Sequence, residues 1–230
     1  MLAEAIRYPL RGRAGRDGLA VVSGVVIAAL LAVRVARSLW PDRLVVVPLA
    51  LLVIPVVLFA GHLGSVLRRS VAGDADPPPF DWSMETPRLG VRVLLVAGGY
   101  LLVPAAVLLA VAVAIQGTVG AGPLAGIGAT LALLVVVAFA YAMPVGVAAT
   151  LRGGLRDGLQ LGSLGGLRSA PYFVAWTGGT VLVVSSWLLL RAAAPSTLLA
   201  LVAVVAFAYA HLAAAHLVGE GLARATSRSR

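Results

Sequence analysis

The 230-residue chain contains no cysteine, no lysine and few charged residues of any kind. Without cysteine there can be no disulfide, no zinc–thiolate site and no cysteine nucleophile. Only 12% of residues are charged, against about 25% in an average soluble domain, and 60% are hydrophobic, against about 45–50%. Mean hydropathy is +1.01. Both departures describe a protein whose solvent is lipid. All 18 basic residues are arginine, and with nine acids the net charge is +9. Such a balance can mark a nucleic-acid binder. Here, however, the arginines lie in short groups between apolar runs and form no basic stripe with interleaved aromatics. They read as residues that orient a membrane protein. Nucleic acid is therefore excluded as a partner, and membrane lipids, other membrane proteins or a second copy of the chain are expected instead.

Length is better counted in spans of about 20 residues. Residues 18–33 form the first uncharged run, ended by Arg34 and Arg37, and Arg34 can snorkel from a helix end. Residues 44–67 form the second, ended by Arg68 and Arg69. From Val93 to Leu151 there are 59 residues without a charge, too many for one crossing. Gln116-Gly117, Gly120, Gly122-Pro123 and Gly126 punctuate the middle and predict two helices joined by a neutral turn. Residues 169–190 and 192–219 supply a fifth and a sixth, on either side of Arg191 and Ala194-Pro195-Ser196. The expected fold is all-α: a polytopic membrane protein of six transmembrane helices over about 18–36, 44–67, 92–115, 127–150, 172–191 and 197–218. These make one transmembrane domain over 1–230, with an N-terminal interfacial segment at 1–16 and a short basic tail at 220–230. A cleavable signal peptide is not expected, because four arginines precede the first run and no cleavage site follows it.

Arginine also sets orientation. Under six spans, Arg7, Arg11, Arg13, Arg16, Arg68, Arg69, Arg88, Arg92, Arg152, Arg156, Arg168, Arg224, Arg228 and Arg230 fall on one side. Only Arg34, Arg37, Arg43 and Arg191 fall on the other. That bias places both termini in the cytoplasm of a multi-pass plasma-membrane protein. The spans then pair as three helical hairpins, and a short string recurs in each return helix: Val56 to Ala60, Val136 to Ala140 and Val204 to Ala208. Gly98, Gly99, Gly178 and Gly179 are candidates for close helix approach in lipid. Pro48, Pro55, Pro104 and Pro144 sit within spans, where each is expected to free a backbone carbonyl and kink its helix.

The loop from Arg68 to Arg92 carries Asp74, Asp76, Pro77-Pro78-Pro79, Phe80, Asp81, Trp82 and Glu85, with Arg88 just beyond. Phe80 and Trp82 suit the membrane–water interface. Four carboxylates beside arginines could hold a hard cation, since calcium and magnesium take oxygen ligands, but no calcium-loop spacing is present. A solvated turn with local ion pairs is the plainer reading, and no metal or cofactor is assigned. Leucines 151, 155, 159, 164 and 167 with Arg152 and Arg156 fit a cytoplasmic amphipathic helix on the membrane surface, weakened by its glycines.

Ile6-Arg7-Tyr8-Pro9-Leu10-Arg11, the stretch from Gly61 through Pro-Pro-Pro-Phe-Asp-Trp to Gly90, Ser169-Ala170-Pro171-Tyr172, and Tyr209 to Gly219 together carry a resemblance. The chain resembles an archaeal and bacterial integral membrane family catalogued as domain of unknown function 4013. It departs where that family commonly has an aromatic after the glycine of the second span, at His62. The resemblance implies a polytopic membrane architecture and supplies no catalytic residue. With the arginine bias, it implies an archaeal or other GC-rich source.

Ionisable residues inside spans are functional candidates by default. Here they are His62, His211 and His216. His211 and His216 lie about 140° apart on a helix and do not share a face. There is no His-Glu-x-x-His motif, no phosphate-binding Gly-x-x-x-x-Gly-Lys loop and no Gly-x-Ser-x-Gly elbow. The leading expectation is a non-enzymatic membrane scaffold or modulator. The alternative is a small transporter or channel-like protein, drawn from the in-span prolines and glycine pairs. A third is an enzyme acting on lipid headgroups through the 74–92 cluster.

Overall fold

Hydrocarbon offers no hydrogen-bond partner to a backbone, so long uncharged runs rich in alanine, leucine and valine must close their own peptide hydrogen bonds as helices. A computed structural model of the chain describes residues 1–117, 122–159, 167–193 and 197–227, and the regular elements among them are all helical. Two are short, α1 (Leu2–Arg7) and α6 (Leu155–Leu159). Six are long and apolar enough to cross a membrane: α2 (Gly12–Leu39), α3 (Val46–Ala72), α4 (Glu85–Gly117), α5 (Gly122–Gly153), α7 (Ala170–Ala193) and α8 (Thr197–Ser227). They run from 24 to 33 residues, whereas about 20 suffice for the hydrocarbon core. Their charged ends therefore continue as helix beyond the apolar stretch. α4 begins at Glu85 and contains Arg88 and Arg92, and α8 carries the Glu220–Arg224 pair. Charge does not stop a helix; a cap does. Gly73, at φ 91°, ends α3, with Gly73 N–H donating to the Ser70 carbonyl and Asp74 N–H to that of Arg69. The turn at Gly120, Ala194-Pro195-Ser196, Leu164 of the expected surface helix, and Arg228 and Arg230 of the tail lie outside the described residues.

Each long helix packs on its neighbour in sequence (α2 on α3, α4 on α5, α7 on α8), and α3 also lies against α4 and α8. α8 is the central element: 44% of its apolar stretch is buried, against 17–28% for the others. One core cluster joins Leu67, Val96, Val145, Tyr172 and Val218 from five helices. A second joins Tyr8, Leu19, Val22, Val66 and Leu212, tying the N-terminal segment to α2, α3 and α8. Of the recurring phenylalanines, Phe59 and Phe207 face each other at 6.1 Å, and Phe139 meets Tyr100 at 6.3 Å.

Small residues set the closest helix approaches, as expected in lipid, but only partly at the positions expected. Among the described residues nothing lies within 4 Å of a Cβ placed on Gly98, so the close contact anticipated there is not made by them. The tight seam between α3 and α4 is made by Gly61 and Gly90. A Cβ on Gly61 would lie 2.1 Å from the Thr86 carbonyl oxygen, and one on Gly90 2.0 Å from that of Val57. Gly178 and Gly179 do meet α8, at Leu217 and Val218. From α8 itself, Gly219 abuts Ser70 of α3 and Gly221 abuts Ala175 of α7, which lets α8 run between the two.

The prolines also divide. Pro55, Pro104 and Pro144 are interior to their helices. Pro48 is instead the third residue of α3, where an N–H has no intrahelical partner in any case, so the kink expected of it does not apply. Pro144 removes the donor that would have met the carbonyl of Ala140, four residues earlier. The indole of Trp176, on α7, donates to that same oxygen at 3.1 Å.

The seam gives a sharp expectation. Gly61→Ala or Gly90→Ala forces a methyl into a backbone oxygen that cannot swing away, and each should cost about 1–3 kcal/mol. Gly98→Ala, in open space, should be neutral. Thermal denaturation in mild detergent checks the contrast, and equal behaviour of all three variants would contradict the seam.

Candidate functional site

The N-terminal segment folds back onto α8. After α1, Tyr8 and Pro9 turn inward in a single tight turn and are buried, while Leu2, Ile6 and Leu10 remain exposed. The Tyr209 hydroxyl donates to the Ile6 carbonyl and fastens the segment to α8. The Tyr8 ring then stacks on the His216 imidazole, with centroids 3.8 Å apart and planes 8° from parallel. On its other side His216 Nδ1 is hydrogen-bonded to Ser70 Oγ of α3 at 2.8 Å. All three side chains are at most 5% exposed. Burial pushes the Tyr8 phenol up to about 12, so it stays neutral across physiological pH. Ser70 lies close enough to ease that shift, yet among the described residues the Tyr8 hydroxyl has no hydrogen-bond partner.

A serine beside a histidine invites comparison with a nucleophile and its base. The comparison fails on geometry. In a hydrolase triad the serine meets Nε2 while a carboxylate holds Nδ1; here Nδ1 is taken by Ser70, no carboxylate among the described residues is hydrogen-bonded to the ring, and Tyr8 covers its face. The arrangement is a polar clasp joining the N-terminal segment, α3 and α8.

His62 sits nearby, 3% exposed, with its ring 5.1 Å from Phe80. A Cβ on Gly18 of α2 would touch its Nε2 at 3.3 Å, so glycine there makes room for the imidazole. Tyr8, Gly15, Gly18, His62, Pro77 and Pro78 enclose a void of about 10 Å³, close to what one water needs. The proline stretch thus seals this end of α2. Arg11 fixes it further by donating to the Ala75 carbonyl at 2.8 Å.

The acidic loop does not assemble into a cation site. Asp81 accepts from the Ser83 hydroxyl at 2.6 Å and the Ser83 N–H at 2.8 Å, which holds its carboxyl below the usual range. The Ser83 hydroxyl accepts from Glu85 N–H, and Thr86 donates to the Asp81 carbonyl, so this stretch builds the start of α4. Glu85 pairs with Arg68 at 3.0 Å. Asp74, Asp76 and Arg88 are exposed, and Trp82, 72% exposed, rests against Phe80 at 4.7 Å. Among the described residues no three His, Asp or Glu side chains are placed to hold a metal.

His211 stands apart from the clasp, as its helical phase requires. It packs against Phe207 at 4.0 Å and Phe59 at 5.5 Å. It also lines a cavity of 310 Å³ between α3, α5, α7 and α8, together with Leu63, Met143, Pro144, Trp176 and Thr180.

The structure thus separates the three histidines into three environments and scatters the acidic cluster. Tyr8, Ser70, Trp176 and Thr180 were not singled out as site residues. Ser70 and His216 are 146 residues apart, and nothing local signals their pairing. The Trp176 contact had half a signal, since Pro144 announces a free carbonyl at Ala140 but not its donor.

Residues 47–194 match the family model described as "Protein of unknown function (DUF4013)", well over half of the chain. Comparison with curated proteins and with solved structures finds no match.

The Trp176–Ala140 contact can be isolated by a double-mutant cycle. Trp176→Phe leaves a half-buried in-span carbonyl without a donor and should cost about 1–3 kcal/mol beyond the loss of volume. In a Pro144→Ala background the restored backbone N–H takes that carbonyl, and the same change should cost measurably less. Additive effects on unfolding in detergent would show that the indole does not serve that oxygen.

Proposed function

The chain belongs to the DUF4013 family of proteins of unknown function, and we propose that it is a non-enzymatic integral membrane protein that scaffolds or modulates other components of its bilayer. One observation carries this reading: the Ser70–His216 pair is closed under the Tyr8 ring and joins three chain segments. Ser70 Oγ and His216 Nδ1 are used on each other and not presented to a substrate. Around it, the loop carboxylates serve as a helix start, an ion pair and solvated turns. That removes support from chemistry on lipid headgroups.

A small transporter or channel is the second reading, favoured by the 310 Å³ cavity beside Pro144. The walls of that cavity are apolar apart from His211 and Thr180, which suits a lipid-soluble occupant better than a hydrated solute. Partners are accordingly membrane lipids, another membrane protein or a second copy of the chain.

α1 packs through Ala5 against Ala175 of α7 and Leu217 of α8, so the N-terminal segment lies at the end of the bundle that carries the C-terminal part of α8. The arginine bias supports placing that end in the cytoplasm, with the protein in the plasma membrane.

Three measurements test these proposals. Fused to the C-terminus, a fluorescent protein should fluoresce and a periplasmic phosphatase should stay inactive; the opposite pattern would invert the topology. Native mass spectrometry of the protein in mild detergent should find copurifying lipid or protein. Purified protein in liposomes should leave small ions and polar solutes at the background leak rate, and specific saturable flux would favour the transporter instead.

A further inference from the structure

Three features meet at the cavity between α3, α5, α7 and α8. Its 310 Å³ falls at the lower end of ordinary ligand sites, about 300–1,000 Å³. It is also about twice the size of an apolar cavity known to stay dry and accept a small hydrocarbon, ~150 Å³. Its walls, including Leu63, Leu67, Met143, Val183 and Val218, come from helices that span the bilayer. An occupant is therefore drawn from the lipid phase.

The second feature is the state of His211. Its Nδ1 lies 2.8 Å from the Phe207 carbonyl oxygen. A carbonyl only accepts, so Nδ1 carries the proton, and the neutral ring leaves a lone pair on Nε2. Among the described residues Nε2 has no hydrogen-bond partner. Thr180 supplies the third: it lines the same cavity, and its hydroxyl likewise has no partner among the described residues. The cavity thus holds one free acceptor and one group able to donate, in otherwise apolar walls. A hydrocarbon answers neither, and a ketone or ester carbonyl answers only the threonine. An alcohol answers both, its O–H donating to Nε2 and its oxygen accepting from Thr180.

We propose that this cavity binds a hydroxyl-bearing apolar lipid, with the alcohol oxygen between His211 and Thr180 and the hydrocarbon chain among the apolar walls. The proposal deepens the modulator reading by naming the chemistry of a bound membrane component. It places no bond-making step at the site; the lipid is held, oriented by two hydrogen bonds.

The test uses the full chain in nanodiscs of defined phospholipid, titrated with farnesol and, in parallel, with farnesene, which has the same prenyl skeleton without the hydroxyl. Tryptophan fluorescence, with Trp176 in the cavity wall, and the shift in thermal midpoint report binding. Farnesol should bind about 3- to 30-fold more tightly than farnesene, the worth of one or two neutral hydrogen bonds. His211→Phe and the isosteric Thr180→Val should each move that ratio toward one while leaving farnesene affinity unchanged. Should His211→Phe fail to fold, Thr180→Val decides alone. Equal affinity for the two probes, binding of neither, or a ratio unchanged in the folded variants would overturn the proposal. Any of those results would leave the modulator reading standing, because that reading falls on solute flux through liposomes.

Discussion

Hydrocarbon supplies no hydrogen bonds, and most of this structure follows from that one constraint. A polar group inside the bilayer must find its partner in the chain or remain unsatisfied at a cost of several kcal/mol. The constraint makes each long apolar run a helix. It also explains two contacts that bind distant helices together. Where Pro144 strips Ala140 of its helical donor, Trp176 supplies an N–H from α7. Where His216 turns inward from α8, Ser70 meets it from α3. In both cases a polar group that would be a liability in lipid is a fastening between helices.

Packing completes what hydrogen bonding begins. Lipid tails are as apolar as leucine, so helices associate where their backbones can come close. Gly61 and Gly90 do this for α3 and α4, and Gly219 and Gly221 let α8 pass between α3 and α7. α8 thereby becomes the most buried helix. The N-terminal segment closes over it, with Tyr8 stacked on His216 and Pro9 packed against Gly15. Surface ion pairs such as Arg68–Glu85 and Arg13–Asp17 add little, since exposed pairs are worth about 0–1 kcal/mol. Apolar contact and a few enclosed hydrogen bonds hold the bundle.

Much of this architecture could be read from the sequence, because a run of twenty uncharged residues has only one outcome in lipid. Six spans followed from that, including the division of the uncharged stretch between Val93 and Leu151. Helix ends were less legible, since arginines at 88 and 92 mark the end of the apolar stretch and not of the helix. Glycines could be seen but not ranked: Gly98 and Gly90 look alike in sequence, and only the helix crossing decides which one meets a backbone. The candidate site was the least legible part. His62, His211 and His216 stand out as ionisable residues in apolar surroundings, yet their roles depend on Phe80, Phe207, Ser70 and Tyr8, the last two far away in the chain. The acidic loop could be read as a solvated turn with local ion pairs, but not which carboxylate does what: Asp81 holds Ser83 before α4, Glu85 pairs with Arg68, and Asp74 and Asp76 are exposed.

The apolar parts of the spans are therefore dry, with the Ala140 carbonyl and the His216 ring each met by a donor or acceptor from a neighbouring helix. Residue-resolved hydrogen–deuterium exchange in lipid nanodiscs tests that claim most directly. Amides throughout the apolar parts of the six spans, including those on either side of Pro144, should exchange slowly, while residues 74–84 exchange fast. Rapid exchange around Pro144 and Trp176 would mean that water reaches the Ala140 carbonyl, and would contradict the account at its base.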